Sequence, residues 1–248
     1  MKYARPNHHD MLKAVLFDLD GTLLPMDQDR FTEYYFSLLA KRMASYGYDP
    51  KALIDTVWKG ISAMMRNDGS RTNREAFWEV FSSVFGKDSP KDEPIFERFY
   101  MNEFQQVKSV CEPTPKAREI VSMLRENGIR VILATNPIFP KVATDSRIRW
   151  AGMEPEDFDM YTTFENFGFS KPNPDYFREL LRMMELSPEE CIMVGNDVDE
   201  DMVASEIGMK VFLLDHDMIN RKGKDISRYP KGDFDALIDF LRTEMKVD

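Results

Sequence analysis

Cysteine is scarce in this 248-residue chain: Cys111 and Cys191 stand far apart with no CxxC spacing. No disulfide framework is expected, and both read as reduced, buried small hydrophobes. No apolar run approaches the roughly 18 residues that a membrane span requires, and the opening "MKYARPNHHD" is polar, without the apolar stretch of a signal peptide. The expected location is therefore the cytoplasm. Neither GxGxxG after a strand-like run nor GxxxxGK[ST] occurs, which disfavours a nucleotide-binding oxidoreductase. Basic residues are in deficit, 33 Lys and Arg against 43 Asp and Glu, for a net charge of −10. That balance works against broad contact with nucleic acid or an anionic membrane, and an anionic small substrate would need a local positive site. Repeats, low-complexity tracts and long linkers are absent as well. His8 and His9 are neighbours in the polar N-terminus and read as tail rather than as chelators.

What is present fits a soluble protein with a real core: 43% of residues are hydrophobic and 31% charged. The length suits one large α/β domain or two smaller ones. Continuous apolar runs of strand length, "KAVLF" before Asp18, "RVILAT" before Asn136, "CIMV" before Gly195 and "KVFLL" before Asp215, predict strands covered on both faces, as in a parallel sheet. A weaker strand is expected within Asp159 to Phe164. Helical patterns lie between them. "KAREIVSMLRENG" shares Ile120, Val121 and Leu124 on one face, and "NPDYFRELLRMMEL" has Asn173 as N-cap with Pro174 at the first helical position. A final amphipathic helix is expected over "DFDALIDFLRTEM", after a solvated loop from Lys222 to Lys231. The alternation predicts a doubly wound α/β core.

The stretch from about Asp27 to Val110 differs in kind. It lacks strand runs, and four segments within it, "FTEYYFSLLAKRMASYG", "KALIDTVWKGISAMMRNDG", "NREAFWEVFSSVFG" and "EPIFERFYMNEFQQV", carry helical spacing bounded by Gly, Pro or polar residues. It reads as an insert of about four helices, its aromatics forming the insert's own core rather than a ligand box.

Chemistry gathers where the strands end. Asp18 and Asp20, spaced by one residue, both face the crevice at the carboxyl end of the first strand. Two carboxylates so close repel each other and invite a hard divalent cation, for which Mg²⁺ is suited; the plain alternative is that Asp20 only starts a turn with Gly21. Thr135 follows the second strand with a hydroxyl that can reach a phosphoryl oxygen. Lys171, ahead of a helix start, sits where anions are favoured. Asp197, Asp199, Glu200 and Asp201 follow the fourth strand as either a solvated helix start or the rest of a cation site.

Asp18-x-Asp20-Gly21-Thr22, then Thr135-Asn136, Lys171-Pro172 and Gly195-Asn196-Asp197 to Asp201, taken in order over roughly Lys13 to Asp215, resemble the four motifs of the haloacid dehalogenase superfamily. The resemblance implies a Rossmann-like core, residues 1–25 and 111–248, with an all-helical cap, residues 26–110, and with Leu24, Pro25 and Met26 as hinge and flap. It implies Asp18 as nucleophile on phosphorus, forming an aspartyl-phosphate, and Asp20 as general acid and base. Thr135, Asn136 and Lys171 would bind the phosphoryl group, with Thr135 and Lys171 steadying its charge. Mg²⁺ would be held by Asp18, the backbone carbonyl of Asp20 and an acid of the fourth motif. Here Asn196 precedes Asp197 where many members have Gly-Asp. Asp197 is favoured as the ligand, Asn196 stays open through its carbonyl, and Asp201 would hold Lys171 or a metal-bound water. The implied activity is Mg²⁺-dependent hydrolysis of a small phosphorylated metabolite. A phosphomutase, a 2-haloacid dehalogenase, a two-component receiver and a non-catalytic binding protein are the rivals. Receivers are about half this length, and dehalogenases generally lack the second acid.

Overall fold

The structure is a computed structural model describing residues 12–246; the His8–His9 pair lies outside them. Six parallel strands form one sheet: β1 (Ala14–Phe17), β2 (Arg130–Leu133), β3 (Met160–Tyr161), β4 (Cys191–Gly195), β5 (Lys210–Leu214) and β6 (Lys231–Gly232), in the order β3-β2-β1-β4-β5-β6. Val15, Phe17, Val131, Leu133, Ile192 and Val194 belong to one apolar cluster, while Ala14, Leu16, Ile132, Cys191 and Met193 belong to another. Side chains alternate across a strand, so both faces of the sheet are buried. That is why its sequence reads as continuous rather than alternating apolarity.

β1 is central, and the register sets Phe17 beside Leu133 on one side and Val194 on the other. The residues that follow those three strands therefore meet at one point. Chain order reverses there, where open α/β sheets hold their ligands.

Between β1 and β2 lie α1 (Gln28–Ala44), α2 (Pro50–Met65), α3 (Asn73–Phe85) and α4 (Glu93–Met101), followed by a 3₁₀ segment, Glu103–Val110. Their starts carry local signals: Asp27 caps α1, Asp49 caps α2 ahead of Pro50, and Thr72 forms a reciprocal capping box with Glu75 on α3. The chain leaves and re-enters the sheet domain side by side, since Met26 bridges Cys111 and the Glu112 amide donates to the Pro25 carbonyl at 2.8 Å.

Three features depart from expectation. The single helix expected over "EPIFERFYMNEFQQV" breaks at Asn102, whose side-chain amide donates to the Arg98 carbonyl at 2.7 Å and whose φ of −118° and ψ of −86° leave the helical region; such local bonding competes with the helical ladder. The aromatics of the insert do not keep to a core of their own. Tyr35 and Phe104 meet Phe139, Phe77 meets Phe164, and Phe104 lies 5.0 Å from Trp150, so one cluster runs from the insert onto the sheet. A helix the sequence did not announce, α6 (Lys141–Trp150), follows β2. The remaining helices, α5 (Pro115–Glu126), α7 (Pro174–Met183) and α8 (Phe234–Met245), cover the sheet. Both cysteines are free and buried, and burial pushes each thiol up to about 12. No helix among the described residues is long and apolar enough to cross a membrane.

Candidate active site

Asp18 directly follows β1, and its amide donates to the Val194 carbonyl at 2.9 Å, which fixes the carboxylate at the strand end. It is 7% exposed. Its Oδ1 accepts from Lys171 Nζ at 2.9 Å, and the same Nζ reaches Asp201 Oδ1 at 2.6 Å. Lys171 is 1% exposed. Burial opposes the lysine's charge, yet Asp18 and Asp201 outweigh it and hold its pKa well above the ordinary value. A cation is thus fixed beside Asp18 despite the acidic chain. Asp201 is held in turn, its Oδ2 accepting the Asp197 amide at 3.0 Å.

Asn196 braces the same point from below. Thr22 Oγ1 lies 3.0 Å from Asn196 Oδ1 and 3.4 Å from Asp18 Oδ2, and Asn196 Nδ2 donates to the Asp217 carbonyl at 2.7 Å. Gly21, at φ +83°, has no room for a side chain, because a Cβ there would lie 2.3 Å from Asn196 Nδ2. The Asp-Gly pair is therefore more than a turn: its glycine admits Asn196. Asp197 is half-buried, faces the cleft, and accepts the amides of Asp199 and Glu200 at 2.8 and 2.9 Å through Oδ1.

Asp20 has an unforeseen partner. Arg147 of α6, 0% exposed, forms an ion pair with Asp20 Oδ2 and lies over the Phe139 ring, 4.3 Å from its centroid. Asp20 Oδ1 is buried and has no hydrogen-bond partner among the described residues. Burial raises the Asp20 pKa, Arg147 pulls against that shift, and Asp18 adds to it. A carboxyl group in this setting is suited to carry a proton.

Asp18, Asp20, Thr135, Asn136 and Asp197 line one cleft of about 380 Å³, with Lys171, Asn196 and Asp201 buried behind it. The Thr135 carbonyl is anchored by Thr162 and Tyr176 hydroxyls at 2.6 and 3.0 Å. The Asn136 side chain is held by its neighbours: Nδ2 donates to Glu200 at 3.0 Å and to the Lys171 carbonyl at 3.3 Å, and Oδ1 accepts the Lys171 amide at 3.2 Å. As a side chain it positions Lys171.

Arg147 and Thr22 had no role in the sequence reading. Thr22 stood inside the motif that drew notice to Asp18. Arg147 gave no signal, since an isolated arginine is normally solvated. The cleft also takes part of its wall from Phe31, Tyr35, Phe36 and Trp58 of the insert, against the expectation that these aromatics serve only as core.

A paired acid at the central strand end, a buried lysine bridging to an acid after β4, and a hydroxyl residue after β2 make one constellation. A family model described as haloacid dehalogenase-like hydrolase matches residues 12–206. The chain belongs to that family. Among the haloacid dehalogenase-like hydrolases it is similar to the glyceraldehyde 3-phosphate phosphatase of Methanothermobacter thermautotrophicus, 29% identical over 88% of this chain and 95% of the relative. It is also similar to the ribulose-1,5-bisphosphate 5-phosphatase of Halopiger xanaduensis, 24% identical over 83% of this chain and 85% of the relative. Its fold resembles that of a 2-haloacid dehalogenase from Pseudomonas syringae, with a TM-score of 0.57 at 20% identity over 94% of this chain and 99% of that one.

In this hydrolase Gly195, the last residue of β4, has no room for a side chain. A Cβ on Gly195 would lie 2.1 Å from Asp201 Oδ2 and 2.5 Å from Asp201 Cβ. Gly195→Ala is expected to cost about 1–3 kcal/mol by overpacking and to lower activity by displacing Asp201 and Lys171. Denaturant melts alongside rate measurements check this; unchanged stability would mean that Asp201 moves freely.

Proposed function

We propose that this hydrolase is a Mg²⁺-dependent phosphatase acting on a small phosphate monoester, with Asp18 as nucleophile. The observation that carries the reading is the Asp18 carboxylate held 2.9 Å from the buried Lys171 ammonium beside a second acid, Asp20, of raised pKa. In the first step an Asp18 oxygen attacks phosphorus and the ester P–O bond breaks. Asp20 gives its proton to the departing alkoxide. Water then attacks phosphorus, Asp20 takes the water's proton, and the Asp18–phosphorus bond breaks to release inorganic phosphate. Lys171 and the Thr135 hydroxyl balance charge on the equatorial oxygens, a contribution of about 10²–10³ in rate for each such contact. A dehalogenase attacking carbon has no need of the acid that Asp20 supplies.

Residues 26–110 act in this reading as a cap that screens the reacting groups from bulk water, and the enzyme acts on a soluble metabolite in the cytoplasm. The donors around the cleft are hard oxygens: Asp18, the carbonyl of Asp20 and Asp197. Two carboxylates, one carbonyl and water would hold a cation here, a set that suits Mg²⁺. When bound, Mg²⁺ offsets repulsion between the Asp18 carboxylate and an anionic phosphoryl group. Asn196 is spent on Thr22 and Asp217, which favours Asp197 as the ligand after β4.

The general test is phosphate release from a panel of monoesters with and without Mg²⁺; no release from any ester overturns the reading. The ligand assignment is tested separately. Asp197→Ala is expected to raise the Mg²⁺ concentration for half-maximal activity at least about tenfold, the loss of one charged ligand, and an effect confined to Asn196→Ala would reverse the assignment.

Acidity supplies a further check. Burial pushes Glu200 up to about 8 from 4.5, with Lys171 opposing and Asp197 reinforcing the shift. The folded, metal-free protein therefore keeps a proton that the unfolded chain loses near pH 4.5. Its contribution to stability is complete below that pH and fades as pH rises through about 8. Mg²⁺ competes with that proton for the acidic cluster, so the rise in Tm on adding Mg²⁺ should be larger near pH 8.5 than near pH 6. Calorimetry checks it, and a shift independent of pH counts against the cation site.

A further inference from the structure

We propose that the cleft selects monoesters whose alcohol carries a flat apolar ring rather than several hydroxyls, an inference that rests on the phosphatase reading. The cleft that Asp18 and Asp20 line has an apolar wall made of Phe31, Phe36, Trp58 and Ile61 from the insert with Ile138 and Phe139. Trp58 is 47% exposed, an unusual cost for the largest apolar side chain, and it lies against Phe36 with ring centroids 5.1 Å apart at 45°. Together they offer an aromatic corner in the cleft that Asp18 and Asp20 also line, where a third ring can pack edge-to-face or offset.

Hydrogen-bonding capacity on that wall is low. The Tyr35 hydroxyl is paired with the Tyr100 hydroxyl at 2.9 Å, and the Gln28 amide donates to the Asp20 carbonyl at 3.0 Å. Arg221, near the rim, lies 3.8 Å from Asp29. Beside Gln28 and Tyr35, Thr32 is the small polar side chain that the insert adds to the cleft, and the charged Asp199, Glu200 and Arg221 come from the sheet domain. A polyol seated here would bury hydroxyls that find few partners, and each such loss weakens binding about ten- to a hundredfold. In the phosphatase reading the phosphoryl end is better supplied, with the Lys171 ammonium and the Thr135 hydroxyl as donors. A mostly apolar cavity of about 60 Å³, lined also by Glu93, Glu97 and Glu165, shares Tyr35, Ile61, Ile138 and Phe139 with the cleft. Those four side chains have space to yield to a substituted ring.

The test compares benzyl phosphate with glycerol 3-phosphate, esters of alcohols of similar basicity, so that intrinsic reactivity does not decide the outcome. Expected is a kcat/KM for the benzyl ester about ten- to a hundredfold higher, carried mainly by KM, as burial of one ring implies. Trp58→Ala is expected to cut the ratio of the two constants about tenfold. A ratio at or below one, or a ratio that Trp58→Ala leaves in place, overturns the inference. Binding of benzylphosphonate against methylphosphonate, measured by calorimetry, needs no turnover. Tighter binding of the benzyl compound with no phosphate released from either ester or from any other ester of the panel would uphold the ring site and overturn the phosphatase reading; equal binding would overturn the ring site whatever the rates.

Discussion

Replacing Asp18 by Asn should abolish release of p-nitrophenol from p-nitrophenyl phosphate, with a loss of about 10⁴-fold or more, the scale on which removal of a covalent nucleophile acts. The substitution keeps shape and removes charge. Lys171 retains Asp201 at 2.6 Å, and the carboxamide oxygen still accepts from Nζ, so the ammonium is not stranded. The fold should survive, with circular dichroism unchanged and a fall in stability of about 1–2 kcal/mol for the lost charge-assisted bond. A good leaving group matters here, because it relieves the need for Asp20 and isolates the attack itself. Activity within tenfold of the parent, in a protein that melts cooperatively, would remove Asp18 from the reaction and with it the aspartyl-phosphate route.

The sequence carried the sheet and half of the site because both obey strong local rules. β1 had to be apolar on both faces, and its end had to present two acids two residues apart, so "AVLFDLD" was readable. Lys171 was legible only through its setting before Pro172 and the capped start of α7. What could not be read depends on distance along the chain. α6 buries Ala143, Thr144, Ser146, Arg147, Ile148 and Trp150, a face so mixed that no apolar stripe marks it. Arg147 then meets Asp20 across 127 positions, and nothing local encodes that meeting. The break at Asn102 was missed for the opposite reason, since helical spacing of Phe96, Phe99 and Tyr100 continued in form to Phe104 while one side-chain bond ended the helix. The double duty of Tyr35, core on one side and cleft wall on the other, also exceeds what periodicity can say.

Asn196 shows how a departure from a motif can be repaired by neighbours. A carboxylate at that position would add charge beside Asp18, where Thr22 now meets the Asn196 carbonyl oxygen and the Asp217 carbonyl meets its amide. The carboxamide serves both with one donor and one acceptor, which a carboxylate cannot do. In the proposed reading the charge for a cation would come instead from the next residue, Asp197, which lines the cleft.

Replacing Arg147 by Met should reveal how much of this arrangement one buried cation sustains. The ion pair with Asp20 and the contact on Phe139 vanish together, leaving a carboxylate in an apolar setting, a change that typically costs about 3–5 kcal/mol. The loss has a pH signature. Arg147 is the largest influence opposing burial at Asp20, so without it the Asp20 pKa rises further above its unfolded value. Asp20 in the variant then favours folding only below the unfolded carboxylate range, and that support disappears as pH rises through the new pKa. The deficit relative to the parent should shrink near pH 4 and be fullest in alkali. Rates should follow the same proton. In the proposed mechanism Asp20 can still protonate a leaving group, but at any given pH a smaller fraction of it is ionised to take a proton from water, so phosphoryl-enzyme accumulates and turnover falls by up to about 10²-fold, the weight of one general base. Turnover should recover as pH is raised. A second change, Asp20→Asn, removes the stranded charge and should restore much of the stability while leaving the enzyme slow. Urea melts across pH and single-turnover kinetics decide the matter: a deficit that is flat with pH, or turnover that does not rise in alkali, would leave Arg147 as core filling and no more.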